Sequence, residues 1–169
     1  ARQLAAMGGP AFLADVTVSD GTRAYLLDFI PDAITVKMSG TQLVFETPGE
    51  NEAMRLRVMQ ERITPAVLAQ IQDYFVRIMN LGYLPMDFQV LLDAHGRVYP
   101  FDPGAYATYP SGLAPLPADT TFADFIDDTS SVDPIVRQFY RNTFGDFFAQ
   151  LAQLARRNST DPTRQNFAM

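Results

Sequence analysis

The sequence predicts an α+β fold in one domain: N-terminal β-hairpins, followed by a mainly helical region with a short central hairpin. Three observations carry this reading. Turn dipeptides separate short β-rich runs in the first third of the chain, and apolar residues then recur at helical spacing. A length of 169 residues with 47% hydrophobic and 12% aromatic side chains is enough apolar mass for one packed core. Residues 1–157 read as a single globular domain, with 12–46 its strand-rich part and 50–157 its mainly helical part; 158–169 read as a flexible polar tail.

The runs 11–18 and 23–30 flank Asp20-Gly21, a strong short-range hairpin signal, and 34–38 and 41–46 form a second hairpin joined through Ser39-Gly40. Pro31 and Pro48-Gly49 punctuate these strands. Residues 50–61 have rough helical periodicity. The next helix is better marked, with Thr64 as N-cap, Pro65 in the first helical position and an apolar stripe of Val67, Leu68, Ile71, Phe75, Ile78 and Met79 ending at Gly82. The central hairpin pairs 88–92 with 97–101 around the turn Asp93-Ala94-His95-Gly96. From Pro100 to Pro117 five prolines argue against regular structure, and Tyr106 and Tyr109 there are candidate contact residues. Residues 119–133 form an acidic segment with one short helix. Asp133-Pro134 then opens a helix to about Arg157, whose Ile135, Phe139, Tyr140, Phe144, Phe147, Phe148, Leu151 and Leu154 read as core.

Charge narrows the function. Thirteen Lys and Arg against 19 Asp and Glu give a net charge of −6, which argues against nucleic acid as partner because phosphate neutralisation needs a clustered basic face. No run approaches the ~18 apolar residues of a membrane span, and the N-terminus lacks a secretory leader's pattern. The expectation is a soluble segment of a longer polypeptide, secreted or excised, since the chain begins with Ala. Cysteine is absent and His95 is the only histidine, so metal chemistry falls to carboxylates and to a hard cation such as Mg²⁺. Lys37 is the only lysine.

The informative stretch runs from Gly82 to Gly104. It joins a buried helix, a loop bearing Asp87, a tight hairpin, and Asp102-Pro103-Gly104 directly after the second strand. The hairpin puts Gln89 and Asp102 at the same open end of two paired strands, within reach of one ligand.

This arrangement resembles the second lobe of the protein-kinase-like superfamily, in truncated form, and the resemblance centres on residues 81–104. Asp102-Pro103-Gly104 matches the family's metal-binding Asp-Phe-Gly with the middle residue changed, and Gln89 falls where the family has a metal-binding Asn. The family's catalytic Asp falls at Leu84. Asp87, three residues later, is either a displaced catalytic acid or the cap of a turn. The run 24–31 looks like the strand leading to the inter-lobe hinge. Lys37 superficially resembles the nucleotide-contacting strand lysine but follows that strand instead of preceding it. The resemblance implies Mg and ATP as cofactors, and phosphoryl or nucleotidyl transfer by a degenerate domain, or a partner-binding pseudoenzyme, within a larger effector or toxin polypeptide. A reading of another class remains open: a non-catalytic α+β interaction module whose proline-rich loop and acidic segment bind a basic protein partner. Asp102-Pro103-Gly104 and the His95 turn also suit plain chain reversal.

Overall fold

A computed structural model of the chain describes residues 8–101, 106–108 and 113–159. It is a mixed α+β structure. Both N-terminal hairpins form, with different fates. Strands β1 (Phe12–Thr17) and β2 (Arg23–Leu27) pair antiparallel across the Asp20-Gly21 turn and make a two-stranded sheet of their own. Strands β3 (Ile34–Ser39) and β4 (Gln42–Glu46) close on a two-residue turn, Gly40-Thr41, in which Gly40 takes the left-handed φ of 61° that such turns require.

The second hairpin then enters a larger sheet. β3 also pairs antiparallel with β6 (Gln89–Leu92), which pairs with β7 (Val98–Pro100), giving the order β4-β3-β6-β7. Side chains alternate across a pleated sheet, and residues directly opposite share a face. Ile34, Val36, Met38, Phe45, Val90 and Leu92 are therefore the buried, core-facing set. Thr35, Lys37, Gln89, Leu91 and Tyr99 share the opposite face.

Helix α1 (Glu52–Arg57) starts where Asn51 Oδ1 accepts the Met54 amide at 3.0 Å, and it passes into a π-helical turn, Val58–Arg62. Helix α2 (Pro65–Asn80) starts as expected, with Thr64 Oγ1 accepting the Val67 amide at 3.2 Å. Helix α3 (Pro134–Ser159) is capped by Asp133, whose Oδ1 accepts the Ile135 amide at 2.8 Å. It runs past Arg157 into the segment expected to be tail. There the Asn158 side chain donates to the Met59 and Ile63 carbonyls at 3.2 and 2.8 Å, which ties the helix end to the π-helical turn. Residues 160–169, the rest of the expected tail, lie outside the described residues.

Two strands depart from the sequence reading. β5 (Tyr83–Pro85) pairs antiparallel with β8 (Tyr106–Thr108), inside the stretch read as devoid of regular structure. Each strand has three residues, too few for a periodicity to show, and each exists because the other lies beside it. In the acidic segment the expected short helix is a 3-10 turn, Phe122–Phe125, with a capping box between Thr121 and Asp124.

Aromatic rings bind these layers together. Phe75 of α2 meets the rings of Phe88, Phe122, Phe125, Tyr140, Phe144 and Phe148 at centroid distances of 5.0 to 6.0 Å. All six contacts are edge-to-face, a favoured arrangement of two quadrupoles. Tyr140, Phe144, Phe147 and Phe148 of α3 are thus core, as their spacing indicated, with Phe139 partly buried at its edge. Ile135, read as core with them, is 66% exposed: in the first turn of the helix it lies on the side away from the buried Val136 and Tyr140.

Candidate functional site

The site region is anchored from beneath. Phe88, 1% exposed, sits against Tyr74, Phe75, Phe144, Phe147 and Phe148, with ring centroids 5.6 to 6.3 Å away. Its backbone carbonyl accepts the Met38 amide at 3.0 Å, which extends the β3–β6 ladder by one step. The chain on either side of this anchor has opposite environments: Asp87 is exposed on a bend, whereas Gln89 is 9% exposed at the start of β6. Leu84, where the resemblance places a catalytic acid, is buried in β5 and belongs to the hydrophobic core.

Register brings a further group to Gln89. Lys37 lies directly opposite it in the β3–β6 ladder, so both side chains occupy the sheet's non-core face. The Lys37 ammonium is ion-paired to Glu46, its diagonal neighbour on β4. A cation, a carboxylate and an amide are therefore adjacent on one face. Lys37 stands out in the sequence and Glu46 does not, because a turn at Ser39-Gly40 instead of Gly40-Thr41 shifts the register by two residues and puts Glu46 out of Lys37's reach. The pairing of β3 with β6 carries no local signal.

On the other side of Gln89, the pair Val90↔Pro100 brings Phe101 level with it, and Asp102 is the next residue in sequence. Asp102 lies outside the described residues. Among the described residues no group of three or more His, Asp or Glu side chains is placed to hold a metal ion. The donors the resemblance designates, Gln89 and Asp102, are both oxygen donors, the type a hard cation such as Mg²⁺ takes.

The hairpin's turn end is a second polar centre that the sequence suggested only as a chain reversal. Asp93, 8% exposed, accepts the His95 and Arg97 amides through Oδ1 at 2.8 and 2.9 Å and the Tyr99 hydroxyl through Oδ2 at 3.1 Å. Burial pushes its carboxyl up, but these hydrogen bonds outweigh it and leave the group below the ordinary aspartate range. Tyr99 moves up, through burial and through its bond to the Asp93 carboxylate. Gln70 of α2 holds the same turn, donating to the Gly96 carbonyl at 2.9 Å and accepting the Val98 amide at 3.0 Å.

The acidic segment is engaged within the fold. Asp124 accepts the Thr121 amide and hydroxyl, Asp127 accepts those of Thr129, and Asp133 caps α3. Asp128 is ion-paired to both Arg137 and Arg141, and the Arg141 contact, then the Arg137 charge, hold its carboxyl below the ordinary range. Arg137 itself is buried and also donates to the carbonyls of Asp127 and Val132. These guanidiniums fasten the segment to α3.

No helix among the described residues is long and apolar enough to cross a membrane. In comparisons with known proteins, no family model, no curated protein and no solved structure matches this chain.

Proposed function

We propose that this chain is a degenerate kinase-like domain of a larger polypeptide, of the effector or toxin type, that transfers a phosphoryl or nucleotidyl group from a Mg²⁺-bound nucleotide. Its main support is connectivity. Helix α2 leads through β5 to the bend at Asp87, the β6–β7 hairpin follows, and β8 returns to pair with β5. The pairs Pro85↔Tyr106 and Val90↔Pro100 bracket residues 86–89, so Asp87 and Gln89 fall between the same two ladders, and in sequence Asp102 belongs to the connection from β7 to β8. Lys37, opposite Gln89, adds a cation where nucleotide phosphates would lie. Gln89 and Asp102 would hold the Mg²⁺, which when bound neutralises charge on the phosphate oxygens. Asp87, exposed on the bend two residues before Gln89, would be the proton acceptor for an acceptor hydroxyl, and the buried Leu84 accounts for calling the domain degenerate. The interaction-module reading has less support, because the acids it relies on already serve as caps and ion pairs.

Thermal unfolding tests this directly. Mg²⁺ with ATP at a hundredfold excess over Kd should raise the midpoint by about 5–10 °C. The shift should vanish in Asp102→Ala and shrink in Lys37→Met, whose lost charge weakens binding by about tenfold or more. An unchanged midpoint with every nucleoside triphosphate tried would overturn the reading.

A further inference from the structure

Away from that site, a cleft of about 410 Å³ opens between the segment that follows β2 and the β6–β7 turn. Asp28 and Asp32 are exposed on the first segment, and Asp93, His95 and Arg97 come from the turn, where His95 and Arg97 are exposed. The Asp93 carboxylate is buried and already engaged by two amides and the Tyr99 hydroxyl, which leaves the Arg97 guanidinium and the His95 imidazole as the groups the turn presents to the cleft. No ion pair joins the walls, and the Arg97 guanidinium has no carboxylate partner among the described residues.

Each wall is held in place by its own bonds. Arg97 lies over the Tyr99 ring, 4.7 Å from its centroid, and the turn beneath is fixed by Asp93 and Gln70. On the acidic side the Asp28 amide donates to the Ala11 carbonyl at 2.8 Å. Asp32 has a left-handed φ of 53°, and its carbonyl accepts Arg62 Nη1 at 3.2 Å. Opposite charges that are anchored apart leave a gap whose complement is a molecule with both charges, and pre-organisation lowers the cost of binding it. Phe29, 81% exposed, adds an apolar surface at the cleft.

We propose that this cleft binds a small zwitterion, a free amino acid or a dipeptide, with its carboxylate toward Arg97 and His95, its ammonium toward Asp28 and Asp32, and its side chain against Phe29. The volume suits such a ligand, and paired charge-assisted hydrogen bonds supply the selectivity.

Isothermal titration of the whole chain with L-phenylalanine and with glycyl-L-phenylalanine tests the proposal, and the tighter of the two identifies the free amino acid or the dipeptide as ligand. Saturable binding is expected for at least one. N-acetyl-phenylalanine, which lacks the ammonium, and phenylalaninamide, which lacks the carboxylate, should each bind about tenfold more weakly or worse, as should the parent ligands to Arg97→Gln and Asp32→Asn. Asn tolerates the left-handed backbone at position 32, so the second variant keeps the wall's shape. No saturable heat with either probe overturns the proposal, and so does equal binding of the capped analogues. The Mg²⁺–ATP midpoint shift of Arg97→Gln separates this site from the transfer site: an intact shift with lost zwitterion binding supports a distinct cleft, and loss of both overturns it.

Discussion

At its turn end the β6–β7 hairpin carries an aspartate with both carboxylate oxygens engaged by the backbone and by Tyr99, whereas at its open end Gln89, Lys37 and Glu46 lie side by side with only one ion pair among their charged groups. Asp93 is 8% exposed, while Glu46 is exposed and Lys37 half-buried. The difference separates a group that builds the fold from groups that the fold merely presents. A buried acceptor whose loss orphans several donors is expensive to change; a half-exposed ion pair is not. The two ends should therefore respond to substitution in opposite ways, stability changing at one and ligand binding at the other.

Removing the anchor they share should have the largest effect. Phe88→Ala leaves a cavity among five rings and should cost ~3–5 kcal/mol in urea unfolding, with both ends failing together. A loss below ~1 kcal/mol would mean that the ring does not carry the hairpin. Asp93→Ala should come next, at ~1–3 kcal/mol, because it strands two amides and a hydroxyl. Its pH dependence has a definite sign. The folded carboxyl sits below its ordinary value of 3.8, so the charged form's contribution is fully present above that value and is lost as pH falls through the lowered folded one. The gap between wild type and Asp93→Asn should accordingly narrow below about pH 4; a gap that widens there would contradict the hydrogen-bonded carboxylate. The smallest stability effect is expected at the open end, where Glu46→Gln should change unfolding by less than ~1 kcal/mol. The same variant should nevertheless alter the Mg²⁺–ATP midpoint shift, since it frees the Lys37 ammonium. A large loss of stability with no change in nucleotide response would reverse the contrast between the two ends.

The two N-terminal hairpins illustrate how far local signals reach. Asp20-Gly21 and Ser39-Gly40 mark both turns in the sequence, and both hairpins form. Nothing local distinguishes their fates: β1–β2 stays a separate ribbon with Leu13 and Leu26 about half exposed, while β3 is buried by β6 more than 50 residues away. Gln89 was legible as a candidate from its place with Asp102 at the open end of the hairpin and from the family resemblance, and Asp87 from the loop that carries it. Glu46 depended on where the turn sits: moving it from Ser39-Gly40 to Gly40-Thr41 slides each partner two residues along β4, which keeps every face but brings Glu46 to the diagonal of Lys37. The zwitterion cleft was not legible at all, because its walls come from segments about 65 residues apart that the sequence read separately, as a hinge-like strand and a turn.

What the sequence alone determined is what short-range chemistry decides: an α+β order of elements, the Thr64-Pro65 and Asp133-Pro134 helix starts, the hairpin turns, and an apolar face on each long helix. These rest on backbone dihedrals, capping and periodicity within a few residues. Only the tertiary structure decided that β3 lies beside β6, that β8 returns to β5, and that Lys37 stands opposite Gln89. Those contacts join residues far apart in the chain, and they are selected by burying the aromatic cluster around Phe75 and Phe88, an energy that belongs to the assembled core and to no single segment.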